Sequence, residues 1–248
     1  MARDTRRRPW LHDHSRAQDT FTVPLCKVAL RRRIWIESQA TDRMLRGGLF
    51  LEPRRVIAER YEVLDLIGEG GMATIHRVVD SATQTQLALK QLRLSGGAGG
   101  ELRTAHFERE FVTLKQLAHP RIIRVYDFGF DAEQPYYTME LLDGQDARDL
   151  APLEWSLACA LLRDVASSLA LVHSRRLVYR DLSPRNVRCT SDGRAKLLDF
   201  GALTSVGVPS QIVGTPAFIA PEALFGQPLD QRSDLYALGA TGYYLLTG

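Results

Sequence analysis

Cysteine is scarce in this 248-residue chain: Cys26, Cys159 and Cys189 stand far apart and form no CxxC pair. That excludes a disulfide framework or a paired-cysteine zinc site, and a reducing cytoplasm is the simplest compartment for it. Long apolar runs are missing too. The nearest candidate, LYALGATGYYLLTG at residues 235–248, has only 14 residues and three glycines, against the roughly 20 that a spanning helix needs, so no membrane span is expected. No apolar run follows the arginines at 6–8, so no secretory leader is expected. There are no internal repeats. Lysine is also rare: of 32 Lys and Arg residues, only Lys27, Lys90, Lys115 and Lys196 are lysine. A lysine at a special position is therefore more informative than usual.

What is present suits a packed protein. Hydrophobic residues make up 45% and charged residues 25% of the chain, enough for one large domain or two small ones. The net charge of +3 is uneven: residues 1–60 hold thirteen Arg and one Lys against seven acids. A basic arm in front of a mildly acidic body suits contact with nucleic acid or an anionic membrane. No aromatic–basic pattern accompanies it. Residues 1–58 are therefore read as a solvated, disordered extension, and nucleic acid is not an expected partner.

From Arg60 the texture changes. RYEVLDLIGEGGMATIHRVVDSATQTQLALKQLRL reads as three strands broken by glycines at 68–71 and by the turn-forming DSATQ. Phe107, Phe111, Leu114 and Leu117 fall at helical spacing, and His119-Pro120 ends that helix. IIRVYDFGF and PYYTMELL read as two more strands. Residues 155–176 form a long helix with a broad apolar face, short strands lie around VRCT and AKLLDF, and a last helix covers about 232–246. A β-rich block thus precedes an α-rich block, joined near 140–144: a two-lobed α+β arrangement.

Three constellations carry chemistry. In IGEGGMA, glycines between two strands let the backbone approach an anion, although such a hairpin is also a common structural turn. No GK[ST] follows, which excludes a Walker A loop. Lys90 sits in an alternating strand whose neighbours Ala88 and Leu92 suit an inward face, and a buried ammonium must be paired. Glu110 on the following helix is the first candidate partner and Glu108 the second. Finally, Asp181 and Asn186 share one loop, and Asp199 sits in LLDFG. An Asn oxygen with a carboxylate forms a hard-oxygen site suited to Mg²⁺.

Taken together and in this order, these segments resemble a eukaryotic-type protein kinase domain of the bacterial serine/threonine style. GEGGMA resembles the glycine-rich loop, LALK the lysine strand, EREFVTLKQLAHPRII the following helix and turn, YRDLSPRN the catalytic loop, DFG the metal-binding motif and GTPAFIAPE the end of the activation segment. The resemblance covers about residues 60–248. It implies a small lobe over about 59–140 and part of a large lobe over about 141–248. It also implies ATP and Mg²⁺ as cofactors and proteins as substrates. Lys90, paired with Glu110, would hold the α- and β-phosphates. Asp181 would accept or orient the substrate hydroxyl, and Asn186 and Asp199 would bind Mg²⁺. Ile67, Gly68, Gly70, Gly71, Ile75 and Ala88 would surround the nucleotide. Met139 would be the gatekeeper, with the backbone at Glu140 and Leu142 meeting adenine. Arg180 implies control by phosphorylation at Thr204, Ser205 or Ser210, and Thr215 would belong to substrate docking.

The chain departs from the family pattern at several positions. Ala73 replaces the third loop glycine, and Tyr179 replaces the usual His, where it can fill the same apolar stack. Ser183 replaces a Lys, removing a charge that Arg185 is close enough in sequence to restore. Arg188 stands where a Leu usually lies under adenine, so it either points away or stacks on the base, with Cys189 as the alternative apolar surface. Measured against the family, the chain also stops early. Glu222 is then expected to lack its Arg partner, and Leu235, Leu238, Tyr243, Leu245 and Leu246 to lie exposed unless another chain covers them. Two functions follow: phosphotransfer to protein hydroxyls, or a non-catalytic nucleotide-binding or scaffold module.

Overall fold

The computed structural model describes residues 55–93, 99–209 and 211–248. An antiparallel six-stranded sheet holds β1 (Val56–Ile57), β2 (Tyr61–Glu69), β3 (Ala73–Asp80), β4 (Gln86–Leu92), β5 (Val125–Asp131) and β6 (Gln134–Glu140) in the order β1-β2-β3-β4-β6-β5. Helix α1 (Gly100–Gln116) packs on β5 and β6 through Phe107 and Leu114, the buried part of its periodic apolar stripe. The sheet reaches back to Val56 and Ile57, before the boundary expected at residue 59. Ile57 is fully buried in a small cluster with Tyr61, Val78, Leu89 and Tyr136.

The second part is mainly helical. It contains α2 (Ala147–Leu150), α3 (Trp155–Ser174), α4 (Pro221–Leu224) and α5 (Gln231–Thr247). Between the helices run the strand ladders β7 (Gln145–Asp146) with β9 (Val187–Cys189) and β10 (Ala195–Leu197), and β8 (Leu177–Val178) with β11 (Thr204–Ser205). The two-residue strands were invisible to sequence pattern because distant partners define them, not alternation.

Two expectations need correction. Among the described residues, helix α3, not the C-terminal run, is the segment long and apolar enough by composition to cross a membrane. Its buried Leu161, Val165, Leu169 and Val172 face α5 and the β8 and β10 strands, as in a core helix. Leu245 is fully buried and Leu238 partly buried, whereas Leu235, Tyr243 and Leu246 are exposed as expected. Glu222 accepts a hydrogen bond from the Ser233 hydroxyl at 2.6 Å.

Candidate functional site

The glycine segment is the tip of the β2–β3 hairpin. The Gly70 amide donates to the Ala73 carbonyl at 2.9 Å, closing the turn. A Cβ added at Gly71 would meet nothing within 4 Å, so open space rather than packing surrounds that glycine. Arg93, at the end of β4, holds the tip from the side through Glu69 (2.7 Å) and the Gly70 carbonyl.

In the sheet, Lys90 lies between Ile75 on β3 and Tyr137 on β6. Its Nζ reaches Glu110 Oε1 at 2.8 Å and Asp199 Oδ1 at 3.6 Å. The Tyr137 hydroxyl also donates to Glu110 Oε1, at 2.9 Å. Glu108, the second candidate partner, is solvent-exposed on the other side of the helix. Burial works against the Lys90 ammonium, but its surroundings, Tyr137, Glu110 and Asp199, outweigh this and hold its pKa well above the ordinary lysine value. The Lys90 ammonium thus keeps its charge through the partners that surround it, as a buried cation requires.

The loop after β8 is built around a residue that sequence reading did not single out. Asp234, at the start of α5 and completely buried, accepts hydrogen bonds from the Tyr179 amide, the Arg180 amide and His173 Nε2, each at 2.8 Å. Its only signal in the sequence was an acid embedded in the otherwise apolar SDLYALG. Held this way, Arg180 adopts a positive φ of 74°, and Asp181 follows it, half-buried. Thr215 Oγ1 donates to Asp181 Oδ1 at 3.0 Å, and Asn186 Nδ2 donates to Asp181 Oδ2 at 2.9 Å. Burial pushes the Asp181 carboxyl up, against the lowering effect of those two bonds. The Lys90 ammonium holds the Asp199 carboxyl below the usual carboxylate range. Tyr179 fills the expected apolar stack, edge-on to Phe200 at 5.1 Å, with its hydroxyl bonded to the Leu198 carbonyl. Arg180 donates to the Gln211 carbonyl. Thr204 and Ser205 lie in β11, and Ser210 lies outside the described residues.

Between the sheet and the helical part lies a cleft of about 290 Å³. Of the residues expected there, Ile67, Gly68, Ile75, Ala88, Lys90, Met139, Glu140, Leu142, Asn186 and Asp199 line it, whereas Gly70, Gly71, Glu110 and Asp181 do not. Ile123, Leu141, Asp146, Arg185, Arg188 and Leu198 complete the lining. Arg188 neither leaves the cleft nor yields its place to Cys189, which is absent from the lining. Its guanidinium bonds Asp146 Oδ1 at 2.9 Å and the Asp143 carbonyl at 3.0 Å. Gly144, at φ +75°, permits this approach: a Cβ there would sit 1.9 Å from the Cys189 carbonyl oxygen. Ser183 is buried, and its hydroxyl finds no partner among the described residues. Asn186 gives its amide N–H groups to Asp181, leaving its oxygen for another use, and Asp199, in the same lining, is kept ionised by Lys90. A cleft lined by these two oxygens fits Mg²⁺.

A family model for the protein kinase domain matches residues 61–248. A DNA damage-responsive serine/threonine-protein kinase, RqkA of Deinococcus radiodurans, is 40% identical over 214 residues, covering 80% of this chain and 31% of the relative. Serine/threonine-protein kinase PksC of Streptomyces coelicolor is 35% identical, covering 79% and 38% respectively. Serine/threonine-protein kinase PknL of Mycobacterium tuberculosis is 36% identical over 205 residues, covering 78% and 50%. The chain thus spans about a third to a half of the length of these curated relatives.

Proposed function

This chain belongs to the protein kinase family, among serine/threonine kinases of bacterial type, and from that premise we propose that it transfers the γ-phosphoryl group of ATP to serine or threonine hydroxyls of proteins. The observation that carries the reading is the convergence of Lys90, Asn186 and Asp199 on one cleft, with Glu110 bonded to Lys90 and Asp181 to Asn186 behind its lining.

The Lys90 ammonium, fixed by Glu110, meets the α- and β-phosphates. Ile67, Ile75, Ala88 and Met139 enclose the base, with the Glu140 and Leu142 backbone at its edge, while the open space around Gly71 leaves the hairpin tip free to approach the phosphates. Asn186 and Asp199 would hold Mg²⁺, whose charge, when bound, would offset that of the phosphate oxygens. The substrate hydroxyl donates to Asp181 as Thr215 does here. Its oxygen forms the new bond to the γ-phosphorus as the bond to the β–γ bridging oxygen breaks. ADP departs with that electron pair, and the proton passes to Asp181. Little covalent work falls to the protein, so catalysis rests on positioning and charge. Among the described residues Cys159 is exposed, Cys189 is buried and both are unpaired, and the chain is read as working in a reducing compartment such as the cytoplasm.

Two outcomes test this. First, the melting temperature should rise clearly only when Mg²⁺ and ATP are both present, because ligand binding to the native state stabilises by mass action. Equal shifts with ATP alone would remove Asn186 and Asp199 as metal ligands. Second, activity should fall on acidification at a pH above the ordinary aspartate range, since Asp181 has a raised pKa and must be deprotonated to accept the proton. Thr215→Val removes a bond that lowers that pKa, so the acid limb of the pH–rate profile should move to still higher pH. An unmoved limb would detach it from Asp181. One observation favours the second reading, a nucleotide-binding module without transfer: the buried Ser183 hydroxyl brings no charge to the catalytic loop.

A further inference from the structure

We propose that a second cavity, walled by the end of α1, the turn after it and β10, binds a small polyanion, a soluble molecule bearing clustered phosphate or carboxylate groups, through Lys115, Arg124 and Lys196. The cavity measures about 600 Å³ and shares only Ile123 and Glu140 with the cleft described above. No side chain proposed to touch phosphate, metal or substrate hydroxyl enters it, so it goes beyond the phosphotransfer reading. Its walls come from segments distant in sequence. The Ile123 amide donates to the Leu197 carbonyl at 3.0 Å, and the Leu197 amide donates to the Arg121 carbonyl at 2.8 Å. Those two bonds fasten the turn after α1 to β10. Lys196 on β10 thereby joins one lining with Arg124 and with Lys115 in the last turn of α1. Of the four lysines in the chain, two stand at this one cavity.

The lining holds three cations and one carboxylate. Lys196 reaches that carboxylate, Glu140 Oε1, at 2.5 Å, and the Arg124 amide donates to the same oxygen at 2.8 Å. The other two cations are left over. Lys115 donates to the Tyr126 carbonyl at 2.6 Å, which uses one of its three N–H groups. The Arg124 guanidinium lies 5.7 Å from the centre of the Tyr126 ring, and among the described residues it has neither a carboxylate partner nor a hydrogen bond. His119 adds no charge near neutral pH. Burial and Arg121 hold its pKa below the ordinary value, and its two ring nitrogens already meet the Arg121 amide and the Ser167 hydroxyl. The surplus is therefore two positive charges in one concavity, where low-dielectric walls concentrate anions. Arginine and lysine donors are the groups that hold phosphate and carboxylate. Leu114, Leu117, Ile122 and Val125 make the rest of the wall apolar, the usual build of a small-molecule site.

The test is a calorimetric titration of the full chain with inorganic pyrophosphate in metal-free buffer, where the Mg²⁺-dependent cleft is not expected to compete. Saturable binding is expected. Lys115→Ala and Arg124→Ala should each weaken it about tenfold, the scale of one charge-assisted hydrogen bond. Arg109→Ala removes the same charge from the exposed face of the same helix, outside the cavity, and should leave affinity within about twofold. Lys115 and Arg124 are both exposed, so their variants should keep the fold, and ligand-free melts check this; either variant alone decides if the other is unstable. Three results would each overturn the inference. The first is no saturable binding by the wild type. The second is equal weakening in all three variants, which marks diffuse charge attraction. The third is binding indifferent to Lys115→Ala and Arg124→Ala, which puts the anion elsewhere on the chain. None of these bears on the kinase reading, which stands or falls on MgATP binding and transfer.

Discussion

Asp181→Asn is expected to lower the rate of phosphoryl transfer by about 10²–10⁴-fold, the range for loss of a positioned general base, while MgATP affinity stays within about twofold. The substitution is nearly isosteric, and the local network can survive it. Asn186 Nδ2 needs an acceptor at residue 181, which the new amide oxygen provides. The new amide nitrogen then faces Thr215, whose hydroxyl can turn from donor to acceptor. What is lost is the ability to take up a proton. Nucleotide affinity is expected to hold because Asp181 is not among the cleft-lining residues, while Lys90, Asn186 and Asp199 are. The measurement is a single-turnover transfer assay beside a binding titration. A variant that transfers at the wild-type rate would remove Asp181 from catalysis. A wild-type chain that binds MgATP and transfers nothing would leave the nucleotide-binding module as the surviving reading.

Much of this site was legible before any coordinates, and what was legible shares a physical basis. Lys90 stood out because an inward ammonium in an alternating strand requires a partner, and the helix offered Glu110 twenty residues on. The resulting contact is 2.8 Å. The hairpin, helix α1 and helix α3 follow from period and turn chemistry, which are local. Arg188 was flagged as an oddity, yet its direction was unreadable, because it depends on pairing with Asp146 forty-two residues away. Similarly, β7, β8 and β11 are two residues long and exist only through their partners. The burial of Leu245 was missed for the same reason: its backbone carbonyl accepts from the Leu153 amide, and no local pattern announces that contact. Asp234 is the extreme case, an acid whose three donors come from elsewhere in the chain.

That dependence makes Asp234→Ala the most destabilising change we expect. Removing this carboxylate leaves the Tyr179 and Arg180 amides and His173 Nε2 without their acceptor, around a residue that is 0% exposed. A buried donor left unsatisfied costs about 1–3 kcal/mol, so three donors, partly relieved by relaxation and water entry, amount to about 3–5 kcal/mol. For a domain of this size, that corresponds to a fall in melting temperature of roughly 10 °C. The same carboxylate fixes Arg180 at its positive φ, and Asp181 is the next residue, so transfer should fall even at temperatures where the variant remains folded. Asp234→Asn keeps one acceptor and should lie between the two in stability. Thermal melts of the three proteins, with transfer assays well below each midpoint, decide the matter. If Asp234→Ala melts within about 2 °C of wild type, water or a neighbouring group satisfies the amides, and Asp234 does not organise the loop. If it melts early but transfers normally when folded, its role is confined to stability, and the positive φ at Arg180 is held by the rest of the chain.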